Sequence, residues 1–386
     1  MRGQFERRSS RLGWTTAAAA LLVASAALLA TLYVNAAPGS AATASSCRWR
    51  KAGPPGLTTA VAVTSVAARA PADVWLVGFT YRSSLDDAMG SWHWNSRRWL
   101  GAGVKGLTAR VTPVLSVASS GRDAWAVGRL GSRGPLALHW NSRFRDRFGY
   151  TWWARVGVPR TLAPGGLDSV VMVSPRDLWA VGDTFVLHRL KTWSRITPPA
   201  FVVAGTSLSV TTVPGTTAVW ITGYDEDADV WHAARWTGSG WADSTVTPGL
   251  IHNRPGRNIA FATATDGWIV GRAPTRKGQA LVVHWNGLSW SPVNGLPLPP
   301  ASASELSGVA VRSPNDVWTV GSYLTSSGAT RSLVLHWDGA KWSRMAAPGP
   351  GLTEVAVVPG SRQAWAVGGS YLGKRLVLDN VLRYRC

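Results

Sequence analysis

The chain has 386 residues, 46% of them hydrophobic and 23 of them tryptophan, with 40 Lys and Arg against 20 Asp and Glu and a formal net charge of +20. A positive field of that size attracts acidic partners. Only two cysteines occur, Cys47 and Cys386, which excludes a cysteine-cluster metal site and, once they pair, a thiol nucleophile.

The first 14 residues carry Arg2, Arg7, Arg8 and Arg11 against Glu6, and an uncharged Ala/Leu-rich run fills 15–34. That is the layout of an export signal. Ala42-Thr43-Ala44 offers a cleavage site and Ala36 another; retention as an N-terminal anchor is the alternative, because about 20 apolar residues just span a bilayer. Residues 1–44 are therefore a signal peptide or anchor, and 45–386 lie outside the cytoplasm. The Arg7-Arg8 pair invites a twin-arginine reading, but Ser9-Ser10 follow where apolar residues belong. In an oxidising compartment a disulfide is the default for two cysteines. A lipid-modified Cys47 is its competitor.

Asp73–Gly78 reads Asp-Val-Trp-Leu-Val-Gly, and the motif returns six times. Its tryptophans are Trp75, Trp125, Trp179, Trp220, Trp268, Trp318 and Trp365, spaced by 50, 54, 41, 48, 50 and 47 residues. A period of roughly 40–50 residues points to propeller blades. Within each repeat four short strands are predicted. The first is an apolar segment such as Ser307–Pro314, the second the tryptophan motif, Asp316–Gly321, and the third Ser332–Trp337. Asp338-Gly339 and Asn286-Gly287 then supply the tight-hairpin chemistry that needs positive φ. A fourth strand carries Trp99, Trp153, Trp193, Trp241, Trp290 or Trp342. The second strands are nearly continuous in apolar residues, as strands buried on both faces are. Their tryptophans read as packing between blades; sugar stacking is the functional alternative.

Six fourth-strand tryptophans accompany seven second-strand motifs. After Trp365 the chain runs through Arg375–Leu378 and stops at Cys386, while Arg48-Trp49-Arg50-Lys51 resembles Trp342-Ser343-Arg344. The N-terminal segment is thus expected to supply the outer strand of the last blade and to bring Cys47 to Cys386. The fold class is all-β, a seven-bladed β-propeller of four-stranded blades closed by that N-terminal strand. A loop of about 340 residues would be closed, worth at most about 5–6 kcal/mol by chain entropy.

In these motifs the chain resembles exported actinobacterial proteins with DVWAVG…LHW(N/D)G…W repeats, a group expected to form seven-bladed propellers. The resemblance covers about residues 47–386 and implies the fold without implying an activity. A distant likeness to Kelch and WD-repeat propellers carries no function, because the paired glycines of the one and the upstream Gly-His of the other are missing.

His93, His139, His188, His284 and His336 share one third-strand position, so a structural role is expected of them. His232 and His252 fall outside it without metal-ligand spacing. No Gly-x-Ser-x-Gly elbow or phosphate-binding glycine loop occurs. A glycosidase needs two carboxylates facing one sugar; Asp168, Glu305 and Glu354, near the starts of inner strands at the channel mouth, are the candidates, in non-equivalent positions. Tyr224–Val230 is a concentrated acidic loop, and Asp225, Asp227 and Asp229 could offer oxygen ligands to calcium, though the glycine turn and terminal glutamate of an EF-hand are missing. No other cofactor is expected.

Without residues 1–44 the net charge is +17, and arginine outnumbers lysine 34 to 6, which codon bias would also produce. In a propeller the hairpins joining second to third strands share one face with the connections between blades. Arg82, Arg129, Arg133, Arg160, Arg254, Arg257, Arg272, Arg276, Lys277, Arg331 and Lys374 fall on that variable face, where binding on a rigid scaffold concentrates. Asp86, Asp87 and the acidic loop interrupt it, and export removes nucleic acid as a partner. The expected protein is a monomeric, non-catalytic module of the cell surface that binds an acidic wall polymer, polysaccharide or surface protein. A carbohydrate-active hydrolase or lyase using the channel-mouth carboxylates, and a structural or adhesive surface protein, are the alternatives.

Overall fold

Runs such as Val-Trp-Leu-Val and Leu-Val-Leu have no polar face to turn to water, so they are stable only as strands sandwiched between other strands. A computed structural model of the chain describes residues 47–386 except 56, 58–60, 81–87, 106–113, 131–133, 144–150, 204–206, 226–229, 247–257, 274–277, 302 and 373–374. The leader expected at 1–44 lies outside the described residues. Every element among those described is a strand, and among the described residues no helix is long and apolar enough to cross a membrane.

Seven antiparallel blades follow in chain order. Blade 3 is typical, with strands Ser169–Ser174, Asp177–Gly182, Phe185–Arg189 and Trp193–Ile196 from the axis outwards. Blade 7 is built from both ends of the domain: Glu354–Val357, Ala364–Leu372 and Arg375–Arg385, then Arg48–Lys51 paired antiparallel to the last of these. A disulfide joins Cys47 to Cys386 across 339 residues of sequence. The expected clasp is thereby realised.

Some bounds differ from the sequence reading. The third strand of blade 7 runs from Arg375 to Arg385, well past the apolar Arg375–Leu378 that marks it in sequence, because its second half lies between two paired neighbours. Blade 6 has longer inner strands, Ala303–Ser313 and Asp316–Leu324, than the apolar motifs alone suggest. Blade 2 carries an extra edge strand, Gly103–Lys105, parallel to Trp152–Val156. Three residues carry too little pattern to be read as a strand.

The core lies in seven slabs, each between two neighbouring blades. Blades 1 and 2 share one slab containing Trp75, Val117 and Leu138, and blades 7 and 1 share another containing Val63, Leu76 and Trp365. The second-strand tryptophans are buried, at 0–4% exposure. Each stands near the outer tryptophan of the next blade. Trp75 meets Trp153 at 5.1 Å and 71°, Trp268 meets Trp342 at 5.4 Å and 81°, and Trp365 meets Trp99 at 5.2 Å and 78°. These are the edge-to-face geometries aromatic rings prefer, each worth about 0.5–1.5 kcal/mol beyond area burial.

Serine hydroxyls stitch inner strands together. Ser65 Oγ accepts a hydrogen bond from Val117 N (3.1 Å) and Ser116 Oγ one from Val170 N (3.3 Å). At the outer hairpins Gly287 and Gly339 adopt φ of 96° and 93°, as the Asn-Gly and Asp-Gly pairs require.

Candidate functional site

Five blades contain one repeated unit. Asp73, Asp123, Asp177, Asp266 and Asp316 open the second strands and accept a hydrogen bond from the facing histidine, at 2.8, 2.6, 2.8, 2.8 and 3.1 Å for His93, His139, His188, His284 and His336. Each imidazole lies over the tryptophan two residues after its aspartate, with centroids 4.1–4.5 Å apart. The carboxylate therefore fixes the ring that covers the indole. Burial raises Asp73 and Asp316, but His93 with Arg69, and His336 with Arg312, outweigh it and hold both below the usual carboxylate range.

Blades 4 and 7 replace the pair at both ends. Arg235 faces Trp220 and Arg383 faces Trp365, with Ala218 and Gln363 where aspartate stands elsewhere. Gln363 Oε1 accepts from Arg383 Nη2 at 2.7 Å, and the guanidinium lies 5.1 Å from the Trp365 centroid. These groups recur around the ring or substitute for one another, so they belong to the scaffold.

The first strands of all seven blades line an axial cavity of ≈ 240 Å³, walled by residues such as Ala67, Ala118, Met172, Phe261, Val309 and Val357. Among the described residues its lining contains no ionisable side chain.

The three candidate carboxylates occupy three different register positions. Asp168 sits beside the rung Ser169–Val181, Glu354 forms the rung with Val367, and Glu305 faces Ser322, one rung before the bulge at Leu306–Gly308. Glu354 is 5% exposed, and its Oε1 accepts from Ser65 Oγ (3.2 Å) across the junction of blades 7 and 1. Glu305 Oε1 accepts from Ser322 Oγ (3.3 Å). Asp168 meets Arg129, whose Nη2 also reaches Asp183, at 3.1 and 3.0 Å.

That last group is a charge cluster that the structure adds to the sequence reading. Arg129 ends the second strand of blade 2, Asp168 precedes the first strand of blade 3, and Asp183 lies in the next hairpin. Gly166 lets the Arg129 side chain cross it, since a Cβ there would lie 2.0 Å from Arg129 Cγ. Burial pushes the Asp168 carboxyl up to about 6; Arg129 opposes the rise and Asp183 adds to it. A raised carboxyl is what a general acid needs, but here the space between the two carboxylates holds a guanidinium.

Of the predicted basic face, Arg129 is thus bound internally. Arg160 and Arg331 are exposed, and neither is ion-paired to an acid among the described residues. Arg272 occupies the blade 5 position that Arg129 takes in blade 2, and its Nε is buried without a hydrogen-bond partner. Arg82, Arg133, Arg254, Arg257, Arg276, Lys277 and Lys374 lie outside the described residues. So do Asp227, Asp229 and the side chain of Asp225, whose backbone pairs with Val230. Among the described residues no three His, Cys, Asp or Glu side chains are grouped as a metal site.

The position of Arg129 gives a partial signal in sequence, an arginine directly after Val-Gly, but its partners come from another blade. No protein-family model matches the sequence, and no curated protein does. Among solved structures, YCF48 bound to a D1 peptide is 15% identical, with a TM-score of 0.57 over 87% of this chain and 96% of that one. YCF48 from Cyanidioschyzon merolae is 16% identical, with a TM-score of 0.56 over 87% and 98%. A fucose-specific lectin from Aleuria aurantia is 11% identical, with a TM-score of 0.43 over 75% and 96%. At such identities the likeness to YCF48 is one of architecture, and it agrees with the blades traced above: the chain is a seven-bladed β-propeller.

Proposed function

We propose that the protein is a non-catalytic binding module working outside the cytoplasm, and that its loop face holds an anionic polymer of the cell envelope. The observation that carries this is an imbalance on that face. Asp168, Glu305 and Glu354 are each engaged within the protein, whereas Arg160 and Arg331 reach solvent without an acidic partner among the described residues. Guanidinium groups in that state favour phosphate, sulfate or carboxylate ligands. The disulfide fits an oxidising compartment, and among the described residues the lining of the axial cavity offers no acid–base pair to a sugar. A protein partner is the second reading, favoured by the similarly folded YCF48, seen with a bound peptide.

Retention on a purified anionic wall fraction at about 50 and 300 mM salt tests the proposal. Binding should weaken steeply with salt, because exposed charges are screened within a Debye length of about 8–10 Å. Replacing Arg276, Lys277 and Arg331 by glutamine should lower it further. Absent or salt-insensitive retention would overturn the reading.

A further inference from the structure

The clasp that closes the ring also builds a second basic surface, remote from the loops. Arg48 pairs directly with Arg385, and Arg50 with Arg383. Directly opposed residues of an antiparallel ribbon project to the same face, and so do residues two apart in one strand. Four guanidinium side chains therefore share one face of a two-stranded ribbon, with rungs about 7 Å apart. Like charges directly opposite destabilise a sheet. Trp49 and Tyr384 take the other face and pack on Trp318, at 5.5 and 4.7 Å.

The four arginines are not alike. Arg383 is held by Gln363 and lies over Trp365 and Trp94. Arg48, Arg50 and Arg385 are exposed, and no ion pair joins them to an acid among the described residues. Trp99 Nε1 donates to Ala52 O (2.8 Å), tying the blade 1 hairpin with exposed Arg97 and Arg98 to the same segment. Cationic groups thus converge on the junction of blades 7 and 1 from three pieces of chain.

We infer that the clasp ribbon is a binding strip for a linear phosphate-bearing polymer, with Arg48, Arg50 and Arg385 as its contacts. A guanidinium presents a planar fork to phosphate oxygens, and a chain of anionic groups along the ribbon would relieve the repulsion between opposed arginines. A bilayer suits the strip less well: it is two strands wide, about 5 Å, and its Trp49 faces inward at 4% exposure. The strip lies on the β-framework and not on the loop face, so it stands or falls independently of the function proposed above.

The test uses the oxidised full chain and fluorescently labelled inorganic polyphosphate, followed by anisotropy at several salt concentrations. Arg48→Gln/Arg50→Gln/Arg385→Gln should weaken binding at least about tenfold at low salt. It should also flatten the plot of log K against log salt by about two, at roughly 0.7 for each lost contact with a single-stranded polyanion. Arg122→Gln/Arg176→Gln, at exposed positions in the first hairpins of blades 2 and 3, should bind like the parent. Orthophosphate and anionic-lipid vesicles, run in parallel, should compete poorly; vesicles competing as well as polyphosphate would replace the polymer by a membrane. Should the triple variant fail to fold, polyphosphate should instead shield Arg48, Arg50 and Arg385 of the parent from a guanidine-directed dicarbonyl reagent, read by mass spectrometry. Unchanged affinity in a folded triple variant, or equal labelling with and without polyphosphate, would sink the inference.

Discussion

The indole of Trp49 stands edge-on to that of Trp318, with centroids 5.5 Å apart and planes at 80°. The same arrangement joins Trp268 to Trp342 at 5.4 Å and 81°, so a residue at the start of the domain fills in blade 7 the place that Trp342 takes in blade 6. Trp49→Ala should cost about 3–5 kcal/mol, the usual range for truncating a buried aromatic ring. Urea unfolding of the variant would measure it. A loss below about 1 kcal/mol would mean that the clasp strand is not part of the cooperative core.

Ring closure also depends on the Cys47–Cys386 bond. Reduction, or Cys47→Ser with Cys386→Ser, should lower stability by up to about 6 kcal/mol, the chain-entropy limit for so long a loop. Hydrogen exchange should rise first at Arg48–Lys51 and at the end of Arg375–Arg385. Free-thiol counting on the unreduced protein should give none; two would contradict the closure.

Two sets of aspartates act on acid stability with opposite sign. Asp73 and Asp316 are held below their ordinary 3.8, so the unfolded chain binds their protons more tightly, and the stability they give at neutral pH is lost as pH falls below that value. Asp168 is raised to about 6. Its contribution is complete below its unfolded value and is lost as pH rises through about 6. Thermal midpoints of the parent and of Asp168→Asn, compared from about pH 4 to 7, should therefore diverge in that window, the parent losing ground as pH rises. Parallel curves would place the Asp168 titration elsewhere.

The repeated aspartate–histidine pair gives an asymmetric prediction. His284→Ala should cost about 1–3 kcal/mol, because it uncovers Trp268 and removes the partner of Asp266. Arg235→Ala, at an exposed position facing Trp220 in a blade with Ala218 in place of aspartate, should stay within about 0.5 kcal/mol. Equal effects in a denaturation series would show that Arg235 supports Trp220 as firmly as His284 supports Trp268.

Glu354 and Glu305 should separate as sharply. Glu354→Ala leaves a buried position at the junction of blades 7 and 1 and removes the acceptor of Ser65, which should cost about 1–3 kcal/mol. Glu305→Ala removes one bond at a half-buried site and should cost less than about 1 kcal/mol. If both variants kept full stability while ligand binding fell, the two carboxylates would belong to the binding surface.

Much of the architecture was legible because the pattern repeats. Asp-x-Trp-x-Val-Gly marks five second strands, and an altered form with Ala218 or Gln363 in place of aspartate marks the other two; Arg48–Lys51 could be matched to the outer strand missing from blade 7 because Trp49-Arg50-Lys51 resembles Trp342-Ser343-Arg344. The extra strand Gly103–Lys105 and the full length of Arg375–Arg385 were not legible. Strands so short, or so broken by polar residues, are fixed by the neighbours that accept their hydrogen bonds. The candidate site was read less well, since a list of arginines on one face does not say which are already paired.

The sequence by itself pointed to a ring of seven blades, to buried repeated tryptophans and to a bond between the two cysteines, all readings of local hydrophobic pattern and of counting. Tertiary structure alone decided the fate of the charges. Arg129 is bound to Asp168 and Asp183 from the next blade, Arg383 to Gln363, and Arg48 lies opposite Arg385. Electrostatic partners are chosen by distance in space: the repeat pattern brought the segment of Cys47 to that of Cys386, but only the strand register set Arg48 opposite Arg385.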